Sequence, residues 1–227
     1  MNKIITGADL SEKEKNTIFW ASFLSLAAAG VSLAFRIAMG GVYGSELGLT
    51  NLQIGQIVGA QFWPVAITMI GFSLVVDKTG YKAPMFAAAA LQIVGGLGTF
   101  FANSFGMLYL FAVFMGLGHG IVEAVINPVC AAIYPKEKTK WLAILHAAWP
   151  AGLISGSLMI FLTNGIFVRW NIHSLWIAVP AVIYGFMLLK SVFPVDERVQ
   201  AGVPFMDMLK QVGFLTATIA CGLLTYE

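Results

Sequence analysis

Residues 116–128 read GLGHGIVEAVINP. They lie in an apolar run long enough to cross a bilayer, which takes about 20 residues, yet they place His119, Glu123 and Asn127 at four-residue spacing. Residues four apart share a helix face, so these three form one polar stripe while Ile121, Val122, Val125 and Ile126 mostly point elsewhere. A carboxylate at bilayer depth costs about 2.5–3.5 kcal/mol or more unless it meets a partner or a wet cavity. The stripe is therefore expected to face away from lipid, either as a face that handles a solute or ion or as a buried seam between helices.

Composition extends that reading to the whole chain. Of its 227 residues, 59% are hydrophobic and 11% charged; a soluble domain averages about 25% charged, so a water-exposed surface cannot be covered here. The class expected is an all-α integral membrane protein, with the lipid bilayer as its solvent. A net charge of +2, with no basic patch outside short loops, predicts no nucleic-acid partner. Cys130 and Cys221 sit in apolar stretches, which argues against a disulfide framework. His119 and Glu123 stand at i, i+4 without a third obvious ligand, so no metal site is expected. No nucleophile–base set or phosphate loop occurs, so neither an enzyme nor a cofactor is predicted.

Working outward, residues 1–16 form a polar tail. Ser11 and Glu14 have the S-x-x-E form of a capping box, which starts a helix that enters the membrane. Apolar spans are predicted at about residues 17–43, 52–76, 83–102, 105–133, 141–166 and 175–193. A linker over residues 194–207 follows, and residues 208–227 read as a truncated seventh span. Lysine and arginine set the orientation: Lys3, Lys13 and Lys15, then Lys78 and Lys82, then Lys136, Lys138 and Lys140, and finally Lys190, Arg198 and Lys210 all fall on one side. Arg169 alone falls on the other, and Arg36 lies inside a span. The positive-inside rule puts the N-terminus in the cytoplasm of a plasma or bacterial inner membrane.

Other residues stand out within the spans. Gly40/Gly44, Gly55/Gly59, Gly116/Gly120 and Gly152/Gly156 are small-xxx-small pairs expected to form packing seams. Arg36 lies about 30 Å along its helix from Asn16, and Glu123 about 18 Å from Pro135, so their depths differ by about 12 Å. Both are expected to line one cavity, with Arg36 nearer the outside; the alternative is that Arg36 snorkels to the outer interface. A cavity-facing Arg36 would favour an anionic solute. In the fifth span Pro150 cannot bond the carbonyl of His146, which predicts a kink. His146 and Trp149 share a face suited to stacking on a sugar ring and hydrogen-bonding its hydroxyls; a buried aromatic with a satisfied histidine would look the same. Gln56, Gln61 and Gln92 are weaker candidates, as solute ligands or as interhelical glue. His173 is expected on the surface of the outer loop between spans five and six.

Asp77-Lys-Thr-Gly-Tyr-Lys82, between the second and third spans, resembles the loop signature G-x-x-x-D-[RK]-x-G-[RK]-[RK] of the major facilitator superfamily, with Asp77, Lys78, Gly80 and Lys82 at motif positions. Ser73 stands at the leading glycine and Tyr81 at a basic position. Together with the span pattern, the resemblance covers essentially the whole chain. It implies a six-helix bundle of two inverted three-span repeats, about 17–102 and 105–193, plus part of a second bundle, so that a C-terminal six-helix half is missing. Glu123-Ala-Val-Ile-Asn127-Pro128 is similar to the E-x-x-x-N-P element of the fucose-permease-like sugar:proton symporters. That family carries an acidic residue in its first span, where this chain carries Arg36. The resemblance implies alternating-access transport of a small polar solute, a sugar or sugar acid, coupled to a proton or another ion. Glu123 would then bind substrate or carry the proton, with Asn127 as a nearby hydrogen-bonding group. Other readings are an exporter of drugs or metabolites in the same superfamily, a membrane receptor that does not transport, or an inactive fragment.

Overall fold

The computed structural model describes residues 5–167 and 169–195, without the side chains of residues 73, 74, 77 and 78. The predicted seventh span and all but the first two residues of the predicted linker lie outside the described residues. Among the described residues the elements are helices: α1 (Glu12–Ala38), α2 (Gly40–Leu47), α3 (Asn51–Gly59), α4 (Trp63–Thr79), α5 (Lys82–Phe101), α6 (Phe105–Ile133), α7 (Lys138–His146), α8 (Ala148–Thr163) and α9 (Leu175–Leu188), with single 3₁₀ turns at Gly7–Asp9 and Trp170–Ser174.

Among the described residues, six stretches are long and apolar enough to cross a membrane, so the chain is a multi-pass membrane protein. The first span begins where the capping box placed it: Ser11 accepts from the Glu14 N–H, and Glu14 reaches back to Ser11. It breaks at Met39, and α2 continues to Gly48, which takes φ +64°. The second span is α3 followed by α4, interrupted at residues 60–62 where Pro64 opens the new helix. The fourth is the single helix α6 over the predicted residues. The fifth breaks at Ala147, just after His146 and three residues before Pro150. Gly80 ends α4 at φ +69°, a conformation that favours glycine, so the short turn into α5 depends on it.

Packing follows a symmetric scheme. The first span packs on the fifth and sixth, the fourth packs on the second and third, and the third packs on the sixth. Exchanging spans one and four, two and five, and three and six leaves that set unchanged. This is the pairing that two inverted three-span repeats produce. Spans one and four sit at the centre, while the second and fifth leave most of their surface outside the bundle.

Two of the four glycine pairs make the predicted seams. A methyl group at Gly152 would collide with the Ala27 carbonyl of α1, and one at Gly120 with Thr68 and the Val65 carbonyl of α4. Their partners Gly156 and Gly116 face the same neighbours. The other two pairs do not form seams. Gly55 and Gly59 face open space, and around Gly40 and Gly44 nothing comes closer than an Ile54 methyl at 3.3 Å. Spacing alone cannot say which helix face is covered, and these pairs lie at the least covered part of the bundle. His173 also departs from expectation: it is buried, 3% exposed, with Nδ1 3.2 Å from the Trp170 carbonyl and its ring edge-on to Phe167. The 3₁₀ turn before α9 folds it inward.

Candidate functional site

The polar stripe of α6 opens along its length: His119 is 7% exposed, and the stripe is least covered at Glu123 and Asn127. Ile121, Val122, Val125 and Ile126 are 2% exposed or less and belong to the core, whereas Glu123 and Asn127 are only partly buried. His119 Nε2 lies 3.4 Å from Glu123 Oε1. One turn further on, the Asn127 amide donates to the Glu123 carbonyl at 3.2 Å and approaches its carboxylate at 3.5 Å. Asn127 Oδ1 in turn lies 2.9 Å from Nε2 of His146, which α7 carries at its last position. Because a carboxylate only accepts, the amide nitrogen must face Glu123, leaving Oδ1 to accept from the His146 N–H. The break at Ala147 ends α7 with His146 against α6. The result is one continuous array, His119–Glu123–Asn127–His146, of an acid held between two imidazoles. Both ring nitrogens of His119 are buried without a hydrogen-bond partner among the described residues, so Nε2 meets Glu123 only through the 3.4 Å approach.

Trp149, three residues on, is half-buried against the core rather than free, and its carbonyl faces Gly30 of α1.

Arg36 is 1% exposed, so it does not snorkel to an interface. Its Nη1 donates to the Ser32 carbonyl at 3.0 Å, to Gln61 Oε1 at 3.1 Å and, in a short contact, to Ser32 Oγ. Ser32 Oγ also donates to Gln61 Oε1 at 3.1 Å, and Gln61 Nε2 donates to the Ala29 carbonyl at 3.0 Å. All these acceptors are neutral, and no ion pair involves Arg36 among the described residues. Its Nη2 has no hydrogen-bond partner, and neither does the buried Tyr43 hydroxyl. Gly116 of α6 packs against the Gln61 carbonyl, which sets this cradle about 10 Å from Glu123 along α6 by helix rise. Arg36 and Glu123 thus do not form a pair.

The other candidates separate cleanly. Gln92 is glue: it bonds the Ser25 carbonyl at 3.2 Å and accepts from Tyr184 at 3.0 Å. Gln56 is exposed. Lys82 Nζ donates to the carbonyls of Leu189 and Ser191, each at 3.0 Å, tying the turn after α4 to the end of α9. The side chains of Asp77 and Lys78 lie outside the described residues. Among the described residues no group of three His, Cys, Asp or Glu converges as a metal site would. Reading the sequence missed Ser32 as a partner of Arg36; its place four residues earlier, on the same helix face, was the available signal.

The geometry agrees with comparisons to known proteins. Residues 18–225 match the family model described as Major Facilitator Superfamily. A protein of Bacillus subtilis (strain 168) named for metabolite transport, YwtG, is 28% identical over 130 residues, covering 55% of this chain and 28% of that protein. The inward-open xylose transporter XylE from E. coli superposes with a TM-score of 0.67 at 16% identity, covering 93% of this chain and 56% of XylE. A peptide transporter POT gives 0.67 at 15% identity, covering 94% and 46%. A D-xylose–proton symporter gives 0.62 at 14%, covering 88% and 53%. The chain thus spans about half the length of these structures and less than a third of YwtG.

Proposed function

The chain belongs to the Major Facilitator Superfamily, and from that premise we propose that it forms the first half of a secondary transporter that moves a small polar solute by alternating access, with a second six-helix half as its partner. The observation that carries the reading is the array His119–Glu123–Asn127–His146. A partly open carboxylate between two imidazoles, on the inner helix of a membrane bundle, is a place where a proton can be taken up and released beside a solute. Glu123 carries the coupling proton or binds a solute hydroxyl, His119 tunes it, and Asn127 and His146 hold its far side. The excess of lysine in the loops of one side supports an N-terminus in the cytoplasm of a plasma or bacterial inner membrane.

A sugar or sugar acid is the favoured solute class, and symport the favoured mode. Support comes from the E-x-x-x-N-P element and from the two xylose transporters among the structural neighbours. Arg36 favours the acid over the neutral sugar. It is a guanidinium with no carboxylate partner among the described residues and one unsatisfied Nη2, so an anion in the bundle is favoured by its field through the sealed cradle, without direct contact.

The test is uptake by proteoliposomes holding the complete transporter, with labelled sugars and sugar acids, with and without an inward proton gradient. Glu123→Gln should abolish uphill accumulation, by about 100-fold or more, while downhill exchange persists. Undiminished accumulation in the variant would overturn the role of Glu123. Accumulation that ignores the proton gradient would overturn proton coupling.

A further inference from the structure

Away from the polar array, α5 and α9 form a groove on the outer surface of the bundle. They meet tightly at one end, where a methyl group on Gly96 would lie 3.0 Å from the Ala178 nitrogen. Towards the other end they part: beside Gly185 nothing comes nearer than the Ala89 methyl at 3.7 Å. The gap is a cleft of about 340 Å³ lined by Phe86, Ala89 and Ile93 on α5 and Val182, Gly185 and Phe186 on α9. The lining is almost wholly apolar, as expected of a surface bathed in acyl chains.

The open end of the cleft is marked by charge. Lys82, at the start of α5, bonds the Leu189 and Ser191 carbonyls and so ties the two helices across its mouth. Lys190, the next residue after the cleft wall, is exposed and makes no ion pair among the described residues. Both lysines lie at the basic end of the bundle, at the level where headgroups begin. An apolar slot running down from a pair of ammonium groups matches one kind of occupant, whose phosphate sits above an extended hydrocarbon chain.

We propose that this cleft is a binding site for an anionic glycerophospholipid, with one acyl chain between Phe86 and Phe186 and the phosphate against Lys190. Its charge specificity rests chiefly on Lys190, because two of the three N–H donors of Lys82 are taken by backbone carbonyls and hold that ammonium against the protein. Gly185 keeps the slot open for the chain.

The experiment is native mass spectrometry of the full-length chain released from detergent, with equal amounts of phosphatidylglycerol and phosphatidylcholine of the same acyl composition. The parent should retain phosphatidylglycerol about fivefold over phosphatidylcholine, the ratio one basic residue near a charged surface contributes. Lys190→Ala should bring the ratio to about one. Gly185→Leu should cut retention of both lipids, and Ala90→Phe, which fills the cleft from an exposed position, serves if that variant fails to fold. Equal retention of the two lipids by the parent overturns the proposal. So does retention unchanged in all variants, or a dimer that Gly185→Leu dissolves, which would assign the cleft to a second copy of the chain.

Discussion

Two charged regions lie within the bundle among the described residues, and they are built in opposite ways. The array on α6 and α7 mixes an acid with two imidazoles, and the Glu123 side chain keeps 20% of its surface open. The cradle between α1 and the second span holds a lone guanidinium, 1% exposed, on neutral oxygens alone. Burial of a carboxylate or guanidinium is costly in either place, but only the array leaves its charged group partly open, whereas packed helices close over the cradle. The cradle holds its charge in reserve and touches nothing outside the protein. An intramembrane charge is thus not one kind of signal. Its access decides what it can do.

That contrast can be broken most severely at Glu123, where Glu123→Gln should remove uphill transport yet leave thermal stability within about 2 °C, since an isosteric amide keeps the contact with Asn127. A fall of 5 °C or more would place the array with the cradle, as a structural element. Next comes the cradle itself. Gln61→Ala strips Arg36 of its cross-helix acceptor and should cost about 3 kcal/mol in a detergent melt, because an uncompensated buried cation loses a bond. Adding Arg36→Met to that variant should restore most of the loss, because both halves of the buried polar set are then gone. A double variant as unstable as the single would show that Arg36 is satisfied elsewhere.

Glycines carry the same division between sealed and open surfaces. Gly152→Ala, pressed on the Ala27 carbonyl, should destabilise by about 1–3 kcal/mol. Gly55→Ala, with nothing nearby, should gain about 0.5–1 kcal/mol in the chain alone. If the second gain turns into a loss in the complete transporter, that face is covered by the other half. A smaller effect is expected for His146→Ala, which leaves the Asn127 carbonyl without its donor and should weaken solute affinity about fivefold, the equivalent of one hydrogen bond. Full activity in this variant would remove His146 from the array's work.

The smallest effect marks the floor against which the others are read. The Lys140 ammonium, and after it the Trp141 indole N–H, hold the exposed Glu137 carboxyl below its ordinary value of 4.5. A depressed carboxylate favours the folded state above pH 4.5 and loses that contribution as pH falls through the folded value. Glu137→Gln should remove this contribution, so the variant loses less stability than the parent as pH falls below 4.5 and the two converge in acid; its deficit at pH 7 should be small, because exposed pairs are screened.

How much of the site was legible differs between the two regions. His119, Glu123 and Asn127 sit on one helix at fixed spacing, so the 3.6-residue period alone aligned them. His146 was singled out for its neighbour Pro150, but its bond to Asn127 spans 19 residues and two helices. Arg36 announced itself by its charge, while its union with Gln61 crosses 25 residues. His173, placed on the surface by its loop position, is drawn inward by a 3₁₀ turn that no apolar period foretells.

The properties carried by each residue or its immediate neighbours were determined by the sequence alone. These are the membrane class, the spans and their number among the described residues, the start of α1 at Ser11 and the polar stripe of α6. They follow from hydropathy, capping chemistry and helix period, which are local. The tertiary structure alone decided which glycine pairs are seams, which charge is sealed, and which histidine reaches Asn127. The reason is the solvent. In a bilayer both the lipid-facing and the buried sides of a helix are apolar, so the pattern that tells inside from outside in water is silent, and only the packing of one helix on another makes the choice.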